Sequence, residues 1–315
     1  MKIVFMGTPQ FAVPSLAALL DAGYEVAACC TQPDRPQGRH MHLTPCPVKA
    51  YAQEHGVPVL QFERIRRQEG LDTLSAIAPD LFVTAAFGQI LSQKLLDIPR
   101  LGTVNVHASL LPFYRGPAPV NWCLICGETK TGVTTMMTDA GVDTGDILLQ
   151  RETPIAPEED AGALTLRLSQ LGAELLLETL RRIEAGDCPR TPQDHAAATR
   201  HPMLTKQTGH VDFRRTAQEV CNLVRGVSPW PGAWTEFGGG VLKIWQARVA
   251  QGSGLAGEVL PAGTGQGLVV ACGEGAVEIT QLQAPGAKRM QAQAYLRGRP
   301  VPPGSVLGKG TKEDG

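Results

Sequence analysis

The sequence predicts an α/β protein, with a mostly parallel sheet covered by helices in its N-terminal part and a small β-barrel or sandwich after it. Three observations lead there. Over the first 110 residues, short apolar runs alternate with helical patterns, the mark of a parallel sheet buried on both faces. From about Gly186 to His210 the apolar period disappears and Pro, Thr, Gln and His accumulate. Beyond that stretch come short runs punctuated by glycine, as in small all-β domains. A chain of 315 residues can bury two cores of this kind.

The elements follow in order. KIVFMG (2–7) reads as a strand ending in a glycine turn, and SLAALLDAG (15–23) as a helix with a glycine stop. YEVAACCT (24–31), VPVLQ (57–61), DLFVTAAF (80–87) and GTVNVHAS (102–109) read as strands, with helices over VKAYAQEHG (48–56) and LDTLSAIAP (71–79). TGVTTMMTD (131–139) and DILLQRETPI (146–155) add two strands around AGVDTG, and eight leucines between Leu164 and Leu180 mark a long helix over about 161–185. The chain therefore divides into a first domain over 1–186, a linker over 187–209 and a second domain over 210–315. The second domain opens on a helix, AQEVCNLVRG (217–226), continues in strands between 232 and 283, and has GSVLG (304–308) available to close it.

Composition excludes several classes. With 43% hydrophobic and 19% charged residues the chain is ordinary for a soluble globular protein, and no apolar run approaches the roughly 20 residues of a membrane span. The N-terminus enters a strand directly, without a small-residue cleavage site, so a cytoplasmic protein is expected. Eight scattered cysteines make no disulfide framework. Cys123 and Cys126 form a CxxC with no second pair to complete a zinc site, and both are expected to be buried. MGTPQFAVPS after the first strand offers only Gly7 where a dinucleotide fingerprint needs three glycines, and Pro9 occupies the turn. The net charge of −1 signals no global attraction to nucleic acid. The halves differ: residues 1–206 carry 18 Lys+Arg against 22 Asp+Glu, net −4, and residues 207–315 carry 11 against 8, net +3. A polyanion would be met by the second domain.

Chemistry concentrates in VNVHASLLPFYRGPAP (104–119). Asn105 and His107 lie two residues apart at the end of an apolar strand, so they project from one face. Asp143 sits between Gly141 and Gly145, which let the backbone turn tightly. Each feature alone also fits a polar strand end or a capped turn. Together, an amide, an imidazole and a carboxylate are the parts of an acyl-transfer site: an oxyanion donor, a proton-exchanging ring and a group that sets its charge and tautomer. No serine or cysteine there is set as a nucleophile, which favours direct transfer to an external amine. The second oddity is the long segment 31–52, with Arg35, Arg39, His40, His42 and Lys49 against one acid, Asp34. It is expected to lie open to solvent and to be able to touch a polyanion; His40 and His42 have no third ligand nearby, so no metal is expected.

These stretches carry a resemblance. FMGTPQFAVPSL, TQPDRPQGR…PCPVKAYA, NVHASLLPFYRGPAPV, TGVTTMMTDAGVDTGDIL, SPWPGAWTEF and APGAKRMQAQAYLRG together resemble the methionyl-tRNA formyltransferase family over essentially the full length. The resemblance implies a Rossmann-like N-terminal domain and an OB-like C-terminal barrel that binds tRNA. It implies transfer of a formyl group from 10-formyltetrahydrofolate to the α-amine of methionyl initiator tRNA. By the same carry-over Asn105, His107 and Asp143 are catalytic, Ser109, Leu110, Leu111 and Pro112 line the folate site, and Arg39 contacts the tRNA acceptor end. After Arg39 this loop reads HMHLTPCP, where many relatives are Lys-rich. The implied partners are charged initiator tRNA and the folate co-substrate, with no metal and no membrane, the protein acting as a monomer. A small formyl acceptor such as an amino sugar or glycinamide ribonucleotide needs neither the basic loop nor the barrel. A non-catalytic RNA-binding protein needs no Asn/His/Asp set.

Overall fold

The computed structural model describes residues 1–37, 42–262 and 267–308. The chain forms two compact units: Met1–Pro119, Lys130–Pro154 and Thr165–His201 make the first, and Val120–Thr129, Ile155–Leu164 and Pro202–Gly315 the second.

The first unit holds strands β1 (Lys2–Gly7), β2 (Glu25–Thr31), β3 (Arg35–Gln37), β4 (His42–Thr44), β5 (Val59–Gln61), β6 (Leu81–Ala85), β7 (Thr103–His107), β8 (Lys130–Met137) and β9 (Ile147–Pro154). Its helices are α1 (Val13–Asp21), α2 (Pro47–Glu54), α3 (Gln68–Ile77), α4 (Gln93–Leu96) and most of α6 (Ala161–Ala185); α5 (Pro119–Ile125) belongs, apart from its first residue, to the second unit. Seven strands form one sheet in the order β5-β2-β1-β6-β7-β8-β9. The pairs from β5 to β7 are parallel, and their continuous apolar sequence follows from burial on both faces. Val4, Met6, Phe82 and Leu74 pack in one core under the helices. Against β7 lies α6, brought close by Gly172, where a Cβ would come within 2.8 Å of Val106 Cγ1.

Several features differ from the sequence expectation. The strands β8 and β9 run antiparallel to their neighbours, with Asn105 opposite Met136 and His107 opposite Thr134. Within the segment 31–52, expected as a long open loop, a two-stranded hairpin forms, β3–β4; the helix expected over 48–56 is present and starts at Pro47. Arg39 and His40 lie outside the described residues. After the irregular run at 108–118, α5 forms with Pro119 at its first position, where a missing N–H costs nothing. It buries Cys123 but leaves Cys126 exposed, against the expectation for that pair. Residues 187–201, read as part of a linker, belong to the first unit: Thr191 pairs with Ile147, and Gln193 is buried.

In the second unit, α7 (Ala217–Gly226) begins with a capping box in which Thr216 and Glu219 satisfy each other's backbone N–H groups. Strands β10 (Ala233–Phe237), β11 (Gly240–Ala250), β12 (Leu268–Ala271) and β13 (Ala276–Gln283) form an antiparallel sheet in the order β10-β11-β13-β12, with β14 (Met290–Gln291) beside β13. The helix α8 (Ala292–Gly298) follows. Val220 and Val224 of α7 meet Leu242, Ile244, Val277 and Ile279 of the sheet in one core. Glu258 and Val306 form an isolated bridge, so the GSVLG segment does pair near the end of the chain. Among the described residues, no helix is long and apolar enough to cross a membrane.

Candidate active site

The site is built on the carboxyl end of β7, where ligand crevices of such sheets lie. Asn105 and His107 share a face of the strand. Asn105 Oδ1 accepts a hydrogen bond from Thr84 Oγ1 at 2.9 Å on the neighbouring β6. With its oxygen engaged, the amide keeps Nδ2 as its donor end. His107 is only 7% exposed. Its Nε2 lies 3.0 Å from the carbonyl of Tyr114; a carbonyl can only accept, so Nε2 carries the proton of that bond. Its Nδ1 faces Asp143 Oδ1 at 3.7 Å, beyond hydrogen-bond length but well within Coulombic reach.

Asp143 reaches this position through a left-handed backbone turn, φ 53°, a conformation that short polar residues tolerate better than most. Its Oδ2 accepts the Gly116 N–H at 2.7 Å. One carboxylate thus ties the 139–146 turn to the RGP segment and, through its other oxygen, faces the imidazole. The three residues expected to be catalytic come from one strand and one turn: His107 and Asp143 are adjacent, and Asn105 is two residues along the same strand face.

The loop after β7 is irregular yet fully engaged. Ser109 Oγ donates to the Phe113 carbonyl at 2.6 Å, and Thr134 Oγ1 donates to the Ser109 carbonyl at 2.6 Å while accepting the Leu111 N–H at 3.1 Å. Gln150 Nε2 donates to the Leu111 carbonyl at 2.8 Å. Of the four residues expected at a folate, Ser109 and Leu111 are buried and Leu110 and Pro112 half-buried, and the backbone of Ser109 and Leu111 is tied to β8 and β9.

The sequence reading missed the residues that hold the end of this loop. Arg115 is 4% exposed and Gln193 6%. Arg115 donates through Nε and Nη2 to Gln193 Oε1 at 3.0 and 2.6 Å, and its Nη2 lies 3.2 Å from His195 Nδ1. Burial holds the Arg115 guanidinium below its ordinary range, with nearby Arg200 acting in the same direction. The Thr199 side chain and carbonyl accept the backbone N–H groups of Tyr114 and Arg115 at 2.8 and 2.9 Å. The only sequence signal was the Arg-Gly-Pro run; nothing in TPQDHAAAT points to partners about 80 residues away. Among the described residues, no cluster of three or more His, Cys, Asp or Glu is arranged to hold a metal.

A strand-end amide, imidazole and carboxylate on a mostly parallel sheet, followed by a separate antiparallel domain, define a group-transfer enzyme with a second module. Comparison with known proteins makes the class specific. Residues 1–180 match the formyl transferase family and residues 203–300 its C-terminal domain. The chain belongs to this family. Methionyl-tRNA formyltransferases of Citrifermentans bemidjiense and Geobacter sulfurreducens are 51% and 52% identical to it over 309 residues, 98% of this chain and 97% of each relative. Among solved structures, an N-formyltransferase from Helicobacter canadensis in complex with folinic acid and dTDP-3-aminofucose shares the fold, with TM-score 0.67 and 19% identity over 92% of this chain and 100% of that one.

Proposed function

We propose that the chain moves a formyl group from 10-formyltetrahydrofolate to the α-amine of methionyl initiator tRNA, giving N-formylmethionyl-tRNA in the cytoplasm. Formyl transfer follows from membership of the family. The acceptor rests on near-full-length identity of about half to relatives that carry this activity in their names, whereas the likeness to a sugar-modifying enzyme is one of fold alone. The single observation that supports the mechanism is the shared face of Asn105 and His107 with Asp143 3.7 Å from the ring.

In this reading the free amine attacks the formyl carbon. Asn105 Nδ2 donates to the oxyanion that develops on the formyl oxygen. His107, anchored through Nε2 to Tyr114 and facing Asp143 through Nδ1, is the second group on the oxyanion side of the site. Asp143 stabilises charge on that ring and accepts the amine proton, directly or through a water; the bond between the formyl carbon and N10 of the folate then breaks, and N10 takes up that proton as tetrahydrofolate leaves. Ser109 to Pro112 form the wall against which the folate lies. The first unit, with residues 187–201 packed into it, supplies the chemistry, residues 202–209 lead on from it, and residues 210–315 form an OB-like barrel for tRNA. Exposed Lys243 and Arg289 lie 5.7 and 5.1 Å from the ring centre of Trp245 on the second unit's sheet, a pairing of cations with an aromatic that supports an RNA-facing surface.

Incubating the protein with 10-formyltetrahydrofolate and either charged initiator tRNA or an amino-sugar nucleotide tests the reading. Formylmethionine on the tRNA is the expected product. Formylation of the sugar with the tRNA left unchanged overturns it.

A further inference from the structure

We propose that Gln193, with Arg115 behind it, is a positioning residue for the transfer reaction, holding Asp143 at His107. The inference rests on the catalytic reading of Asp143 given above. Gln193 lies in the irregular segment 187–201. Its one amide makes three kinds of contact. Nε2 donates to the Asp143 carbonyl at 3.0 Å and to the Gly145 carbonyl at 2.7 Å. Oε1 accepts both Nε and Nη2 of Arg115. Arg115 is next to Gly116, whose N–H binds the Asp143 carboxylate. A closed circuit therefore runs from the Asp143 backbone through Gln193 and Arg115 to Gly116 and back to the Asp143 side chain.

The circuit explains two facts at once. Asp143 holds a positive φ that most residues avoid, and such a turn persists where its surroundings over-determine it. Two N–H bonds from a buried amide, to the carbonyls of Asp143 and Gly145 two residues apart in the turn, do so. Arg115 is a buried cation whose guanidinium is spent on an amide oxygen, which fixes which end of Gln193 faces the turn. Thr199 adds a second tie, receiving the N–H groups of Tyr114 and Arg115, and Tyr114 is the residue whose carbonyl orients His107. The segment 187–201 thereby sets the position of both the ring and the carboxylate.

Gln193→Glu is the selective test. It keeps shape and strengthens the bond to Arg115 by making it charge-assisted, but it sets an acceptor against two carbonyl oxygens. Arg115→Lys is the second variant, keeping the charge and losing the fork. Each full-length variant is compared with the parent in amide hydrogen exchange of residues 139–146, in kcat and in KM for 10-formyltetrahydrofolate. For Gln193→Glu the expected result is about 10-fold faster exchange in that turn and a fall in kcat of about 10- to 100-fold, the scale of an ångström-sized misplacement. KM is expected to stay within about twofold, and Arg115→Lys to follow in the same direction with a smaller effect. In an Asp143→Asn background Gln193→Glu is expected to add little further loss, because its effect runs through Asp143. Unchanged exchange in the turn, a parental kcat, or a full multiplicative loss in the Asp143→Asn background each overturns the proposal. Parental turnover in Asp143→Asn alone instead overturns the catalytic reading, and the exchange measurement still decides whether Gln193 holds the turn.

Discussion

The end of β7 and the face of the second unit's sheet solve opposite problems with polar side chains. At the strand end His107, Ser109, Arg115, Thr134 and Gln193 are all buried, and each has a named partner within hydrogen-bond distance. On the sheet Lys243 and Arg289 are exposed, with their charged ends over the ring of Trp245. The first arrangement fixes geometry in a low-dielectric setting, where a donor aimed at developing charge is worth most. The second keeps charge in water, where it is screened and adaptable, and suits attraction of a large polyanion. The contrast implies that changes at the strand end act on turnover, while changes on the sheet act on affinity and its salt dependence.

The strongest way to break the comparison is at Asn105 and His107. Asn105→Ala and His107→Ala are each expected to lower kcat by about 100- to 1000-fold, the usual loss for one oxyanion-side donor. Melting temperatures should stay near the parent for Asn105→Ala, whose lost bond is to a single threonine hydroxyl. Single-turnover kinetics with saturating folate and tRNA measure this. A variant with near-parental turnover removes its residue from the chemistry.

How much of this was legible in the sequence follows from the range of each interaction. The strand-end pair was readable because a strand's period of two is local, and Asn105 and His107 carry it within three residues. The parallel core strands were readable from unbroken apolar runs such as DLFVTAAF. The direction of β8 was not, because apolar patterning fixes burial and says nothing of strand sense. That sense is set by the path through the irregular loop and α5. Cys126 is exposed because α5 ends at Ile125 and this residue stands in the turn that follows, off the helix that buries Cys123. Gln193 was illegible for a further reason. Its partners are 48 and 78 residues away, and a glutamine among prolines and alanines has no local signature. Buried polar circuits are assembled by tertiary structure, and sequence pattern reports them only when one partner stands in an element with a strong period.

A smaller effect is expected from the loop that carries Arg39. Its root is fixed at Asp34, which accepts from Lys49 Nζ and from Gln61 Nε2, the latter at 3.1 Å, and Gln61 Nε2 also reaches the Gln32 carbonyl at 2.8 Å. Hydrogen bonds from Lys49 and then Gln61 hold the Asp34 carboxyl below its ordinary range. The described residues that precede Arg39 therefore form a firm base where β2 ends. Arg39→Ala is expected to raise KM for charged tRNA by about 10-fold, the scale of one lost charge-assisted pair, and to leave folate binding nearly unchanged. Arg39→Lys should recover part of the loss, since lysine lacks the planar fork. Steady-state kinetics on tRNA, with folate binding measured by titration, decide it. Loss of folate binding in Arg39→Ala would mean that the loop serves the other substrate.

The smallest effect belongs to the sheet of the second unit, and it separates the two regions most cleanly. Removing residues after 206 is a poor probe, because 120–129 and 155–164 belong to the same compact unit and would lose their partners. Asn121 Nδ2, for example, donates to the Gly226 carbonyl at 2.7 Å. Single substitutions keep that packing. Arg289 is exposed and donates through Nε to Gln281 at 2.7 Å, so its replacement opens no cavity. Lys243 is likewise exposed on β11. If these cations meet phosphates, each one lost should make the dependence of log KM on log salt shallower by about one. Arg289→Ala and Lys243→Ala are therefore expected to weaken tRNA use by a few-fold at low salt and to converge with the parent as salt rises, with kcat unchanged. Trp245→Ala should weaken tRNA use without altering the salt slope, because stacking releases no counterions. Parallel salt series for the parent and the three variants give the answer. If Arg289→Ala and Lys243→Ala follow the parent at every salt concentration, this face takes no part in holding RNA, and the affinity must come from elsewhere in the chain.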